Sequence, residues 1–434
     1  MSNQAVFNPG CVMSEHSLLL ETPPRGWTTE SFGDMCIRVQ DSASPNPDGQ
    51  RLYLGLENLA SGFPALVGRG SESEVRSGKT AFRKGDVLFG KLRPYLRKSA
   101  LVSEDGICST DILVFRASER SLPEFLCLLT HSDEFVGHAK ATTSGVQHPR
   151  TSWASLREFK LHLPPLPEQR KIAGVLGLVQ RAIEQQERLI ALTTELKKTL
   201  LHKLFTEGLN GEPQKQTDIG PLPQSWEGVK LEDLFDTQLG KMLSQKARIG
   251  DNPKPYLRNK NVQWGAIDTT DLFSMDFNER ERGKFILVPG DLLICEGGEP
   301  GRAAIWRGAL KECYYQKALH RLRPKSNIIS NEFLAHWLEF AFRYQDLYGV
   351  AGASSTIAHL PEVQLKMLQI PLPSRNEQDT IVESLNAVDN KIALHQSKHA
   401  KLTILFRTLL HQFMTAQLRI DKLDSTEIEV STFV

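Results

Sequence analysis

An α+β fold built from two similar mixed α/β units, each closed by a long helix, is the architecture this sequence predicts. Three observations carry the prediction. The 434-residue chain repeats itself at one fixed offset: Leu163-Pro164 returns as Leu372-Pro373, Glu168-Gln169 as Glu377-Gln378, and Leu200-Leu201-His202 as Leu409-Leu410-His411. Within each copy, short apolar runs are punctuated by Gly and Pro, a β-rich pattern with a few helices. Each copy then passes through a Pro-rich stop into a long segment with heptad spacing. A repeat of this length is not a solenoid period. It implies two copies of one domain-plus-helix unit, hence a pseudo-two-fold axis, a shape suited to a double-stranded, roughly two-fold target.

In chain order the segments are a first domain at 1–162, a helical spacer at 163–210, a second domain at 211–369, a second spacer at 370–420 and a tail at 421–434. Residues 1–23 read as a weakly structured leader. The units open at Pro24-Arg25-Gly26-Trp27 and Pro223-Gln224-Ser225-Trp226. Gly85-Asp86-Val87-Leu88-Phe89 matches Gly290-Asp291-Leu292-Leu293-Ile294, each a Gly-Asp turn entering a buried strand. Glu124-Phe125-Leu126 and Glu332-Phe333-Leu334 both open helical segments. Thr142-Thr143-Ser144-Gly145 and Gly352-Ala353-Ser354-Ser355-Thr356 are small-residue loops, followed at like positions by His148 and His359.

After each Pro-rich stop a helix is predicted, from Glu168 to Glu207 and from Glu377 to Leu418. At ~1.5 Å per residue each makes a rod of about 60 Å, the length of a coiled coil or a spacer. The predicted pairing seam of the first helix runs through Ile172, Leu176, Val179, Ile183, Gln186, Ile190, Thr193, Lys197, Leu200 and Leu204. In the second it runs through Ile381, Leu385, Val388, Ile392, His395, His399, Leu402, Phe406, Leu409 and Phe413. Both seams are apolar at the ends and polar in the middle. In an antiparallel pairing Gln186 and His395 share a polar layer; the competing reading is a solvated mid-helix. Residues 208–222 form a linker in which Gly208 caps the first helix.

Net charge is only +1, yet the bases are clustered. Arg76 to Lys98 holds eight Lys/Arg against one acid, Lys241 to Lys260 six against one, and Arg302 to Lys325 seven against one. Clustered base on a neutral chain points to a directed anionic partner. The candidates for DNA contact are Arg83, Lys84, Lys91, Arg93, Tyr95, Arg97 and Lys98 in the first unit. In the second they are Lys241, Arg258, Lys260, Arg302, Arg307, Lys317, Arg321 and Arg323. Arg and Lys reach phosphate oxygens, and Arg also reads guanine through its fork. A basic face lining a helix seam or meeting an acidic subunit is the alternative.

The catalytic motifs fail on spacing. Gly78-Lys79-Thr80 has Ser73 where a phosphate loop needs its first glycine. Glu158-Phe159-Lys160 lacks the upstream Asp of a nuclease site. None of Asn8-Pro9, Asn46-Pro47 and Asn252-Pro253 continues into the aromatic pair of an amino-methyltransferase. Glu296-Gly297-Gly298-Glu299-Pro300-Gly301-Arg302 carries two acids that repel phosphate, so it reads as a tight loop presenting Arg302. Six cysteines without Cys-x-x-Cys spacing read as reduced thiols, with no metal site. No secretory signal or membrane-spanning run is evident, so a cytoplasmic protein is expected.

On the paired Pro-x-x-Trp openings, the Gly-Asp strand entries and the stretches ending in Glu168-Gln169 and Glu377-Gln378, the chain resembles the specificity subunit of Type I restriction–modification systems, from Trp27 to about Leu418. The resemblance implies two target-recognition domains, each holding half of a split site in double-stranded DNA, and an antiparallel coiled coil acting as a ruler between them. It implies no catalytic activity and no cofactor in this chain. A methyltransferase subunit using S-adenosylmethionine would dock on the helices, and a restriction subunit using ATP and magnesium would join it. The units diverge between their shared anchors, so no base-reading residue carries over from relatives. A protein-only scaffold and a self-sufficient methyltransferase or nuclease are the competing readings. Salt-sensitive, sequence-dependent DNA binding separates the first, and S-adenosylmethionine binding by the isolated chain the second.

Overall fold

The computed structural model describes residues 22–248, 250, 252–348 and 359–420. The leader up to residue 21, the 352–356 loop and the tail from 421 lie outside them. The chain forms two compact units, one of residues up to Gln185 together with those from Lys398, the other Gln186–Ser397. No helix among the described residues is long and apolar enough to cross a membrane.

The first unit contains a four-stranded sheet of β1 (Cys36–Val39), β2 (Val87–Gly90), β3 (Ser99–Leu101) and β4 (Ile112–Ala117), in the order β1-β4-β2-β3. The second contains β5 (Phe235–Leu239), β6 (Leu292–Cys295), β7 (Ala303–Ile305) and β8 (Leu319–Pro324), in the order β5-β8-β6-β7. All three ladders in each sheet are antiparallel. The topology is therefore the same in both units. Around it they differ: the first adds a five-stranded sheet, the second a three-stranded one.

The continuous apolar runs after the Gly-Asp turns follow from period-2 geometry with both faces covered. Val87, Phe89, Leu113 and Phe115 enter one core, while Leu88, Ile112 and Val114 enter another. In the second unit Leu292, Ile294 and Leu322 serve one core, and Leu293, Cys295 and Leu319 the other. The turn needs glycine because Gly85 and Gly290 have φ of 88° and 97°. The aspartate that follows is buried and ties the sheet together. Asp86 accepts two bonds from Arg116 at 2.8 Å, and Asp291 two from Arg323 at 2.5 and 2.8 Å.

The other repeated motifs form the joint between domain and helix. The Trp27 indole donates to Glu168 at 2.9 Å and Trp226 to Glu377 at 3.0 Å. Each glutamate's second oxygen takes a bond from the chain following the other long helix: Arg419 in the first unit, the Leu209 amide in the second. The Gln169 amide donates to the Arg120 and Pro164 carbonyls and accepts from the Leu122 N–H. Gln378 does the same with Ile328, Pro373 and Ser330.

The long helices span Leu166–Glu207 and Arg375–Met414. The first starts two residues before the predicted Glu168, with Pro167 in the first turn, where the missing N–H has no partner to lose. The second stops short of the predicted Leu418 because Ala416 turns to φ 56°. In the first unit Ile172, Leu176 and Ile183 share a core with Phe406, Leu410 and Phe413; Val179, Leu402 and Leu409 pack on it. In the second, Leu201, Leu204 and Phe205 share one with Ile381, Val382 and Leu385, with Leu200 packed against it. Ile190, Val388 and Ile392 are half-buried. Mid-helix, Gln186 Oε1 and His395 Nδ1 lie 2.8 Å apart.

Candidate nucleic-acid interface

In each unit a loop joins the third and fourth strands of the four-stranded sheet's order, residues 91–98 between β2 and β3 and residues 296–302 between β6 and β7. The two share a backbone design. The third residue of each is left-handed, Arg93 at φ 51° and Gly298 at 77°. So is the residue two before the next strand, Arg97 at 51° and Gly301 at 85°. The last loop residue reaches back to a short 3-10 turn: Lys98 Nζ donates to the Leu56 carbonyl at 2.6 Å, and Arg302 to the Asn259 carbonyl at 2.9 Å. The segment before the unit's last strand pairs with the loop, through a Leu92–Arg150 bridge in one unit and Gly297–His359 in the other.

Several predicted contact residues work inside the fold instead. Lys98 and Arg302 hold the loops as described, and Arg302 also pairs with Glu299. Arg323 is spent on Asp291, and Arg321, 9% exposed, donates to the Lys284 carbonyl. Lys241 donates to the Asp276 carbonyl and to Glu281, over the Phe277 ring. Arg97 donates to the His131 carbonyl and to Asp133. The sequence expects each of them at DNA, and the fold gives each an intramolecular partner. A cluster of bases shows charge, but not the carbonyls and carboxylates that distant segments bring to it.

The remaining candidates face solvent. Arg83, Lys84, Arg93 and Tyr95 are exposed, and among the described residues none of these side chains has a hydrogen-bonding or ionic partner; Lys91 is half-buried and its charge helps hold the Asp111 carboxyl low. Lys317 is exposed in the same way. Lys260 and Arg307 are exposed, each paired with one carboxylate, Asp271 and Glu332. Exposed pairs of this kind are weak and readily exchanged for phosphate. Arg258 stacks 3.5 Å over the Phe273 ring and donates to Asp271. Hydrogen bonds from Lys260, and then from Arg258, hold the Asp271 carboxyl below its usual range.

Sequence reading missed two participants. Arg150 forms a fork with Asp111, which keeps that carboxyl low and fixes the 148–150 segment beside the first loop. Phe273, 51% exposed, carries the Arg258 guanidinium. Neither belongs to a charge cluster or a repeated motif, so no local signal pointed to them. Among the described residues no group of three His, Cys, Asp or Glu is placed to hold a metal. The five described cysteines are free and buried, and burial pushes the Cys127 thiol up to about 12.

Comparison with known proteins places these units. The family model described as "Type I restriction modification DNA specificity domain" matches twice, over residues 49–194 and 223–403. The Type I restriction enzyme MjaVIII specificity subunit of Methanocaldococcus jannaschii is 26% identical over 66% of this chain and 68% of its own length. The putative MjaX specificity subunit of the same organism is 22% identical over 77% of this chain and 79% of its own. The S subunit structure of a Type-I restriction-modification system from M. genitalium superposes with a TM-score of 0.59 at 15% identity, covering 91% of this chain and 97% of that one. A chain solved in work on assembly and conformational transition of the type I R-M system gives 0.57 at 23%, covering 92% and 100%.

Proposed function

Since the chain belongs to the family of Type I restriction–modification specificity subunits, DNA-sequence recognition proteins, we propose that it reads a split site with one half per unit. The observation that supports this best is the double family match laid over two units whose four-stranded sheets share one topology, each fastened to a long helix by the same Trp-Glu and Gln network. In this reading the two helices pair as an antiparallel coiled coil and set the spacing of the half-sites. The sharing of a core between the start of one helix and the end of the other supports that pairing.

The chain itself is non-catalytic in this proposal, and methyltransferase subunits dock on the helices, with restriction subunits completing the complex. Apolar side chains on the helix faces turned away from the seam support docking: Leu192 and Leu196 are 58% and 56% exposed, Ile404 65%. Affinity rests on Lys84, Lys91, Arg93 and Lys317 with the exchangeable Lys260 and Arg307; Arg321 and Arg323 are not part of it.

The test is to co-express the chain with the methyltransferase subunit of its system and map methylated adenines. The expected result is one motif with two unlike halves and a fixed gap. A stable complex with an active methyltransferase and no such motif would overturn the proposal.

A further inference from the structure

We propose that Arg93 is the residue with which the first unit reads a guanine edge in the major groove, a role that rests on the DNA-reading function proposed above. The argument begins with the backbone. Arg93 sits at φ 51°, a conformation that L side chains adopt at a cost and that the equivalent loop gives to Gly298. An arginine therefore stands where the backbone favours glycine. Strain of this kind marks positions where the side chain itself is needed.

The second observation is what surrounds it. Arg97 and Lys98, the other cations near the loop's end, are held by the His131 and Leu56 carbonyls. The Arg93 side chain is exposed and has no partner among the described residues. Its backbone, by contrast, is clamped. The Arg93 N–H donates to the Pro149 carbonyl at 2.8 Å, its own carbonyl accepts from the Leu96 N–H at 2.9 Å, and Pro94 beside it is buried. A free guanidinium on a fixed stem is preorganised for a contact that depends on geometry.

Phosphate asks only for charge, which the exposed Lys84 supplies from an ordinary backbone. Guanine O6 and N7 ask for a planar fork at a fixed angle, which only arginine gives in full. The equivalent loop of the second unit offers no such group. Its Gly298 has no side chain, and its Glu299 is taken by Trp264 and Arg302. The two units must then read their halves with different parts.

The experiment compares Arg93→Gly with the wild-type chain, each co-expressed with its methyltransferase subunit, by mapping methylated adenines and by thermal melting. The expected variant keeps the second half-site and the gap. It loses discrimination at one guanine of the other half by on the order of ten- to a hundred-fold. It melts at or above the wild-type temperature, because glycine relieves the left-handed backbone. An unchanged motif overturns the proposal. So does a uniform loss of methylation with no relaxed position, which would make Arg93 a phosphate contact, and so does a lower melting temperature, which would remove the strain argument. A wild-type chain that yields no split motif overturns the underlying DNA-reading function, and this role with it.

Discussion

Asp291 accepts both nitrogens of the Arg323 fork and also the Val288 N–H, all within 2.9 Å, while being almost wholly buried. Asp86 makes the same three bonds with Arg116 and the Arg83 N–H. Removing the acid leaves the arginine without its carboxylate, with only the Ile286 carbonyl at 3.3 Å for Arg323, and the turn amide without a partner. Asp291→Asn is expected to cost about 2–3 kcal/mol, below the full penalty of a broken buried pair because Arg323 is 36% exposed. Urea unfolding of the variant checks this, and a midpoint equal to wild type refutes it.

Titration belongs to this scale too. Burial pushes His131 down to about 4, and lowers His320 and His336 as well. Unfolded imidazoles take up protons near pH ~6.5. Between there and pH 4 the unfolded chain binds more protons than the folded one, so stability is lost as pH falls. Urea midpoints measured from neutral pH downward are expected to decline across that window, with a shallower slope in His131→Gln. An unaltered slope would show that His131 is not a contributor.

At the scale of the element, the long helices carry the asymmetry of the molecule. The seam position filled by Lys197 in the first helix is filled by Phe406 in the second. Phe406 packs on Phe63 in the first unit, ring centroids 5.2 Å apart. Lys197 lies buried between Glu339, at 2.5 Å, and Asp389, at 2.7 Å. Burial alone would lower its pKa, but the two carboxylates more than offset this and raise it. Lys197→Met leaves Glu339 buried, with only the half-exposed Arg343 to face it, and is expected to destabilise by about 3 kcal/mol. Lys197→Met combined with Glu339→Gln is expected to recover much of that loss. Thermal melting of the single and double variants decides; equal losses in both would show that the charge pairing is not what matters.

At the scale of the whole molecule, the proposed spacer role makes a geometric prediction. Inserting four residues into each long helix lengthens it by about 6 Å. That is roughly two base pairs of duplex at ~3.4 Å each. The methylated motif is expected to keep both halves while its gap grows by about that amount. A gap that stays fixed would exclude the helices as the ruler.

The sequence by itself determined the double architecture and the helix positions to within a few residues, and it supplied the expectation of a pairing seam. Each of those is written in a local period. The 4-3 spacing of Ile172, Leu176, Val179 and Ile183 is one instance, and the apolar run after each Gly-Asp turn is another. It also marked Trp27, Glu168 and Gln169 with their copies, though not that Trp27 meets Glu168 and Trp226 meets Glu377. Only the tertiary structure decided which charges are free. Arg323 finds Asp291 across 32 positions, and Lys98 finds the Leu56 carbonyl across 42. Nothing local in the chain distinguishes them from Arg93, whose side chain finds no partner among the described residues. Charge is a property of the residue, but its availability depends on what folding brings within hydrogen-bonding distance, and burial makes pairing obligatory for some arginines and unnecessary for others.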